Sequence, residues 1–313
     1  MAAVLPQAAS DFYRAQQRLV VATLALTRTA WARMDLADLD ASWSQVGPVV
    51  LAVVTSAQLG SARNGTSYVA ATLEELDQSV DPVAGVNAAA FSGIASDGRG
   101  LASLLEGAKI RAKVSQSLES GGAWLDMAAH TMVQDAARQA ASVDMFTRPG
   151  VAYVRAVNPP CCQRCAVLAN TYSAPTAFDR HPRCDCFAVP TTDPRSLTLT
   201  EPRPDQIKDL TKAQKRAIED GADQNQVINS HRAGARSKDG MTTTEGTTRR
   251  GLASRRAREL GPAEETSTNV GRRGAVKNYV VRRTQRLTPE AIYRVSATRE
   301  EALQRLYANG YIR

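Results

Sequence analysis

The chain contains 313 residues, which is enough for two modest domains or for one domain with extensions. Apolar residues make up 43% of it and aromatic residues only 5%, so we expect a core of Ala, Val and Leu. Such a core favours helix packing over a β-sandwich. The longest apolar run, 49–54, is far shorter than the ~20 residues that cross a bilayer, so the sequence predicts no membrane span.

Charge is distributed unevenly along the chain, whose net charge is +8. Residues 1–150 contain 11 basic and 14 acidic side chains (net −3), whereas residues 196–313 contain 23 and 14 (net +9). A basic C-terminal third indicates either an acidic partner such as nucleic acid or solvated basic faces. No secretory signal is evident, so synthesis in a reducing cytosol is expected, and this favours metal sites or thiols over disulfides.

Residues 1–148 are predicted to form a helical domain. Its helices are expected at 10–34, 49–59, 66–77, 99–118 and 122–146. Three pairs of helix-breaking residues are predicted to separate some of them: Gly47-Pro48, Asn64-Gly65 and Gly121-Gly122.

Residues 149–192 are predicted to form a small Cys-rich α+β module that Pro149-Gly150 separates from the helices. Residues 151–157 alternate in the manner of a strand. Residues 187–189 are expected to form a short returning strand that Pro190 ends.

A helical extension is predicted at 193–228, with a helix over 204–221 and Gly221 as its C-cap. The next residues, 229–285, are basic, rich in Ser, Thr and Gly, and contain few large apolar side chains. They bury too little surface to offset their ordering entropy, so they are interpreted as a flexible linker.

The last residues, 286–313, are predicted to form a short helical hairpin. Thr288 is expected to cap its first helix, and a capping box that starts at Thr298 opens the second. Tyr311 and Ile312 are expected to fold back onto that helix. We interpret the hairpin as a docking tail, with a DNA-binding helix–turn–helix as the alternative. The predicted fold class is therefore mainly α, with a Cys-rich α+β module, a flexible basic linker and a C-terminal hairpin.

All five cysteines lie within residues 161–186, together with one of the three histidines. Cys162 and Cys165 have the C-x-x-C spacing of a metal knuckle, in which two thiolates reach one ion at ~2.3 Å. His181-Pro182-Arg183-Cys184 is expected to be a tight turn that brings its end residues together. Cys184 and Cys186 point to the same side of an extended chain.

The sequence thus predicts one structural zinc ion. The first choice of ligands is Cys162, Cys165, Cys184 and Cys186, with His181 as the substitute or supporting group. Cys161 is the expected spare. The alternatives are reduced thiols in a small core, a disulfide formed after release from the cell, and a catalytic Cys/His pair. The other two histidines are expected to be a partly buried core residue, His130, and a solvated residue, His231.

The strings Asn158-Pro-Pro-Cys-Cys-Gln-Arg-Cys-Ala-Val-Leu-Ala and Phe178-Asp-Arg-His-Pro-Arg-Cys-Asp-Cys resemble the C-terminal signature of the phage Mu F-like minor head proteins. That signature is C-x-x-C, a short variable loop and H-P-x-C-x-C. Six residues match it: Cys162, Cys165, His181, Pro182, Cys184 and Cys186. The helical half is also similar to the domain that precedes this module in phages of actinobacteria. One departure is Asp185, where the family often has Arg.

The resemblance implies a structural protein of tailed-phage head morphogenesis, located in the capsid interior of the virion and in the host cytoplasm during assembly. The implied partners are the portal protein and the major capsid or scaffold protein. Non-specific contact with packaged DNA is expected through 229–313, and no contact with a membrane is expected. The alternatives are a capsid maturation protease and a DNA-binding internal head protein. No Ser/His/acid arrangement supports the protease.

Overall fold

The computed structural model describes the following residues of the chain: 5–170, 172–173, 180–195, 197, 199, 201–248, 251–259, 266–270, 276–280 and 285–312. They are mainly helical, as predicted. The chain divides into two compact units, the first formed by Met1–Asn158 with Ala169–Glu201 and the second by Pro159–Leu168 with Pro202–Arg313.

The described residues of the first unit form helices and one three-stranded sheet. Its helices are α1 (Gln7–Trp31), α2 (Leu39–Glu75), α3 (Leu101–Leu105), α4 (Gly107–Ser115) and α5 (Leu118–Phe146). Its strands are β1 (Ala152–Ala156), β2 (Tyr172–Ser173) and β3 (Phe187–Thr191), arranged antiparallel in the order β2-β1-β3. Both predicted strands of the Cys-rich module are confirmed, although β3 continues through Pro190.

Helix α2 runs unbroken through both pairs of residues that were predicted to interrupt it, so those two breaks are wrong. A Cβ atom on Gly65 would collide with the carbonyl oxygen of Ala137 in α5, and one on Gly47 would lie 2.9 Å from the indole of Trp43. Glycine is therefore needed at Gly65 for close helix packing, whereas a side chain at Gly47 would require the indole of Trp43 to shift. Pro48 is accommodated inside the helix.

The break predicted at Gly121-Gly122 is also wrong, because α5 begins earlier in the chain. Ser117 caps α5 by accepting a hydrogen bond from Ser120 N, and the preceding residue, Gln116, is left-handed with φ of 53°. A Cβ atom on Gly121 would lie 2.7 Å from the carbonyl oxygen of Ala108, so this glycine lets α4 and α5 approach closely.

Helices α1, α2 and α5 form the body of the first unit, and the two larger apolar clusters lie among them. One contains Val50, Val54, Leu101, Leu105 and Leu125. The other joins the helices to the sheet through Phe12, Tyr68, Met145, Val154 and Phe187. The sheet is thereby fixed against α2 and α5, and this positions the chain just before β3.

Within the described residues, α2 is the one helix long and apolar enough by length and composition to cross a membrane. Of its most apolar 18-residue window, 39% is buried inside the protein. Core helices of globular proteins pass the same test, and α2 packs Val50, Val54 and Leu73 into the two clusters. Helix α2 therefore contributes to the core of the first unit.

The second unit is built from short elements. Its helices are α6 (Gln163–Leu168), α7 (Lys212–Glu219), α8 (Gln224–Asn229), α9 (Leu252–Glu259), α10 (Pro289–Val295) and α11 (Arg299–Ala308). Its strands pair antiparallel as β4 (Thr242–Thr243) with β7 (Arg286–Leu287) and β5 (Thr266–Val270) with β6 (Val276–Val280). Where a single helix over 204–221 was predicted, a 3-10 turn precedes α7, and Gly221 follows with φ of 95°.

The structure differs from the linker interpretation between residues 230 and 248. Met241 is only 1% exposed and lies in the apolar core of the second unit, and Thr288 N donates a hydrogen bond to its carbonyl oxygen. Paired β4 and β7 satisfy the neighbouring backbone groups. The predicted linker also includes residues outside the described part of the chain: 249–250, 260–265, 271–275 and 281–284.

Both C-terminal helices are confirmed, with their caps. Thr288 accepts a hydrogen bond from Ala291 N and Thr298 accepts one from Glu301 N. Tyr311 folds back as expected and is fully buried, with its hydroxyl donating to the carbonyl oxygen of Leu287 at 2.9 Å. The hairpin is therefore part of the core of the second unit.

Candidate metal-binding site

The C-x-x-C segment is held by backbone hydrogen bonds at its start. Cys161 N donates to the carbonyl oxygen of Gln206 at 3.0 Å, and Lys208 N donates to the carbonyl oxygen of Cys161 at 2.8 Å. Helix α6 begins directly after Cys162, and Cys165 N donates to the Sγ atom of Cys162 at 3.3 Å. This amide-to-sulfur contact is the geometry expected of a metal knuckle.

The second half of the motif is the predicted tight turn. Cys184 N donates to the carbonyl oxygen of His181 at 3.1 Å, and Arg183 is left-handed with φ of 60°. The Nδ1 atom of His181 lies 2.8 Å from the carbonyl oxygen of Pro182. When Nδ1 carries the proton and donates to that oxygen, Nε2 has the lone pair that a metal ion requires.

The predicted ligands meet in two overlapping groups. Cys162, Cys165 and His181 form one, and Cys165, Cys184 and Cys186 form the other. Within each group all ligand atoms lie within 4.8 Å of one another, so each group could hold a metal ion.

The donor set fits zinc. Sulfur atoms bound to one tetrahedral zinc lie about 3.8 Å apart, as follows from Zn–S distances of about 2.3 Å. Within each group of three ligands, atoms up to 4.8 Å apart would therefore have to close by about 1 Å. A tetrahedral site needs a fourth ligand from the other group, and the structure does not place Cys162 in one group with Cys184 and Cys186, as the first choice of ligands required. Cys165 belongs to both groups and is buried, whereas Cys161, the predicted spare, belongs to neither. The structure gives all five cysteines as thiols.

An arginine and aspartate cluster on α5 supports the turn, and sequence reasoning missed it. Arg138 donates from Nε to the carbonyl oxygen of Cys186 at 2.8 Å and also donates to the carbonyl oxygen of Cys184. Asp135 is only 2% exposed and pairs with Arg138 at 3.1 Å and with Arg180 at 2.6 Å. These contacts fix the backbone that carries two of the cysteines. The spacing of Asp135 and Arg138, three apart on an Ala-rich helix, was the available signal.

Asp185 lies between the two cysteines of C-x-C and contacts a tyrosine. The hydroxyl of Tyr13 lies 3.4 Å from Oδ2 of Asp185 and accepts a hydrogen bond from Asn158 Nδ2 at 2.7 Å. Burial, followed by the charge of Asp185, raises the pKa of Tyr13 to about 12. Tyr13 therefore stays protonated and serves as a structural donor.

His130 is partly buried, as predicted. Burial lowers the pKa of its ring below the usual value, so the ring is neutral at pH 7. The ring lies 3.3 Å from the amide nitrogen of Gln134, which can orient it but is not a nucleophile. His130 therefore gains no catalytic character from this contact.

The prediction that His231 is solvated is wrong. Its side chain is only 13% exposed, and Nε2 lies 2.9 Å from a carboxylate oxygen of Glu290. Arg236 approaches the other ring nitrogen at 3.1 Å. His231 is partly buried because residues 230–248 fold into the second unit.

In comparisons with known proteins, no family model, curated protein or solved structure matches the chain. The resemblance to phage Mu F-like proteins therefore depends on the sequence features described above, and a role in head assembly stays a prediction.

Proposed function

We propose that this protein is a structural minor capsid protein that acts in head morphogenesis of a tailed phage, at the portal or the inner capsid surface. The observation that carries the proposal is the motif C-x-x-C … H-P-x-C-x-C, whose ligand atoms converge on Cys165. Its surroundings favour a structural role, because Cys165, Cys184 and Cys186 are buried and Arg138 is bonded to the backbone of the last two.

We also propose that the cluster holds one structural zinc ion, which fixes the Cys-rich segment in its folded form. Protein purified without chelator is expected to contain about one equivalent of zinc. Cys165→Ser should lose it, because this residue contributes to both ligand groups. Metal content by mass spectrometry and the thermal unfolding temperature are the two readouts.

The matched control for Cys165→Ser is Cys161→Ser, which removes a buried thiol that lies outside both groups. It should retain the metal. Equal metal content in the two variants, or a metal-free wild-type protein that unfolds at the same temperature with and without added zinc, would exclude the site. Cys162→Ser and Cys184→Ser then show which group binds the ion, since each changes only one.

Head assembly is tested by co-expressing the chain with portal, scaffold and major capsid proteins from the same source. Procapsids are isolated by sedimentation, and their protein content is measured by quantitative mass spectrometry. We expect this chain in a small number of copies per particle, and loss of it when the portal gene is omitted. Particles that do not contain the chain would contradict the proposed role, and equal uptake without the portal would place it at the inner capsid surface.

The same co-expression distinguishes the protease alternative. Shortened capsid or scaffold protein in the presence of the wild-type chain, and intact protein with His130→Ala, would favour a maturation protease. A structural protein leaves both substrates intact whatever residue occupies position 130.

A further inference from the structure

A cavity of about 280 Å³ lies in the first unit among α1, α2, α5 and β3. Its walls are mostly apolar and include the rings of Phe12, Tyr68 and Phe187. Phe12 and Tyr68 stack with their centroids 4.2 Å apart, and Phe187 meets Phe12 edge to face at 5.9 Å. These aromatic contacts build one wall of the cavity.

Both charged residues in the described lining are arginines, Arg138 and Arg180. Among the described residues, Asp135 is the carboxylate that pairs with both, so this group of three side chains carries one net positive charge. The donors of Arg138 are engaged by Asp135, by Gln134 and by the turn at Cys184 and Cys186.

Arg180 is the more accessible of the two arginines. It pairs with Asp135 through Nε and Nη2, so its second terminal nitrogen, Nη1, faces away from that pair. The Arg180 side chain is 23% exposed, and Val143 in the same lining is also exposed. The cavity therefore reaches solvent beside a guanidinium group.

We propose that this cavity binds a compact apolar group that carries a carboxylate. A 150 Å³ apolar cavity accepts benzene, so about 280 Å³ suits a ring with a short substituent, below the size of a typical drug-like ligand. The ring packs against Phe12, Tyr68 and Phe187, and the carboxylate pairs with Nη1 of Arg180. Such a ligand is either a free arylalkanoate or an aromatic residue at the C-terminus of a polypeptide.

The direct test is calorimetric titration of the full chain with hydrocinnamate and with hydrocinnamyl alcohol, its neutral analogue of the same shape. Hydrocinnamate should bind at least about tenfold more tightly. To distinguish the two sources of the ligand, the titration is repeated with the peptide Gly-Ser-Gly-Phe, once with a free C-terminal carboxylate and once as the C-terminal amide. Tighter binding of the free peptide than of hydrocinnamate identifies a chain terminus, and the reverse order identifies a small acid.

Two variants locate the binding. Ala141→Leu places a larger side chain into the lining and should weaken both hydrocinnamate and the alcohol at least about tenfold. Its control is Ala71→Leu on the exposed face of α2, which should leave both affinities unchanged. Arg180→Gln should abolish the preference for the carboxylate, whereas Arg14→Gln at an exposed position should preserve it.

Thermal unfolding of each variant is measured first, and the Arg180→Gln comparison stands alone if Ala141→Leu does not fold. The proposal is overturned if hydrocinnamate fails to bind at ligand concentrations of about 10 mM. It is also overturned if the alcohol binds equally well, or if Arg180→Gln keeps the carboxylate preference.

Discussion

Two glycines of α2, Gly60 and Gly65, lie five residues apart in different surroundings. A Cβ atom on Gly60 would lie 3.8 Å from a methyl group of Leu19, an ordinary contact, whereas one on Gly65 would collide with the carbonyl oxygen of Ala137. We expect Gly60→Ala to raise the free energy of unfolding by up to about 1 kcal/mol, since alanine favours the helix. Gly65→Ala should lower it by about 1–3 kcal/mol, because α2 and α5 must move apart.

Urea unfolding of the two variants beside the wild type measures both changes, and each glycine is the control for the other. Since the substitution and the helix are the same, helix propensity alone would make both variants more stable. A stabilised Gly65→Ala would show that α2 and α5 do not approach as closely as the structure describes.

Single residues also show how far the candidate site could be predicted. The Cys and His ligands are evident in the sequence because all five cysteines fall within 26 residues, counted from 161 to 186. Arg180 and its partner Asp135 are 45 residues apart, and only the tertiary fold brings them together. The cavity next to them has no local pattern either, because its aromatic wall comes from two helices and a strand.

One carboxylate joins three elements of the second unit. Glu290, in the first turn of α10, accepts a hydrogen bond from the hydroxyl of Thr211 at 2.6 Å and contacts Nε2 of His231 at 2.9 Å. Thr211 is the N-cap of α7. Burial raises the pKa of Glu290, but the hydrogen bonds from His231 and Thr211 outweigh it, and the net effect lowers that pKa below its usual value.

Because the pKa of Glu290 is lower in the folded protein than in the unfolded chain, its ionised form stabilises the folded protein at pH values above the pKa of the unfolded chain. That stabilisation is lost as the pH falls through the lower pKa of the folded protein, so the loss begins below about pH 5. Wild type should therefore be more stable than Glu290→Gln near neutral pH, and the difference should shrink as the pH falls toward about 3. Urea unfolding across this pH range measures it.

The matched control for Glu290→Gln is Glu219→Gln, which removes one negative charge at an exposed position on α7. Its difference from wild type should stay small at every pH. A Glu290→Gln difference that is constant with pH would show that the carboxyl acts only through packing.

Elements whose ends depend on neighbouring residues were predictable. Both C-terminal helices begin at the expected threonines, because an N-cap is a contact between residues three apart. Glycines in long helices misled the prediction, since the sequence does not distinguish a helix break from a close helix crossing. The order at 230–248 was missed because it depends on one methionine and on pairing with distant β7.

The charge of the whole molecule bears on contact with DNA. The C-terminal third is net +9, and some of its arginines are paired with carboxylates, as Arg232 is with Glu245 and Arg299 with Asp220. Deleting 229–313 would not isolate the charge, because it removes Met241, Leu287 and Leu306 from the core of the second unit. Substituting exposed basic side chains changes the charge and keeps these core residues in place.

If the second unit contacts packaged DNA through phosphates, binding to duplex DNA should weaken steeply with salt. Arg232 is 73% exposed and Lys238 is also exposed, so Arg232→Gln combined with Lys238→Gln should weaken binding without loss of core contacts. The slope of log K against log salt should fall in magnitude by up to about 2, close to 0.9 for each lost phosphate contact.

Arg14→Gln combined with Arg63→Gln is the control, because it removes two exposed charges from the acidic N-terminal half and should leave the slope unchanged. Equal effects of the two pairs would place any DNA contact outside the second unit, and salt-independent or absent binding would remove DNA from the partners of this protein.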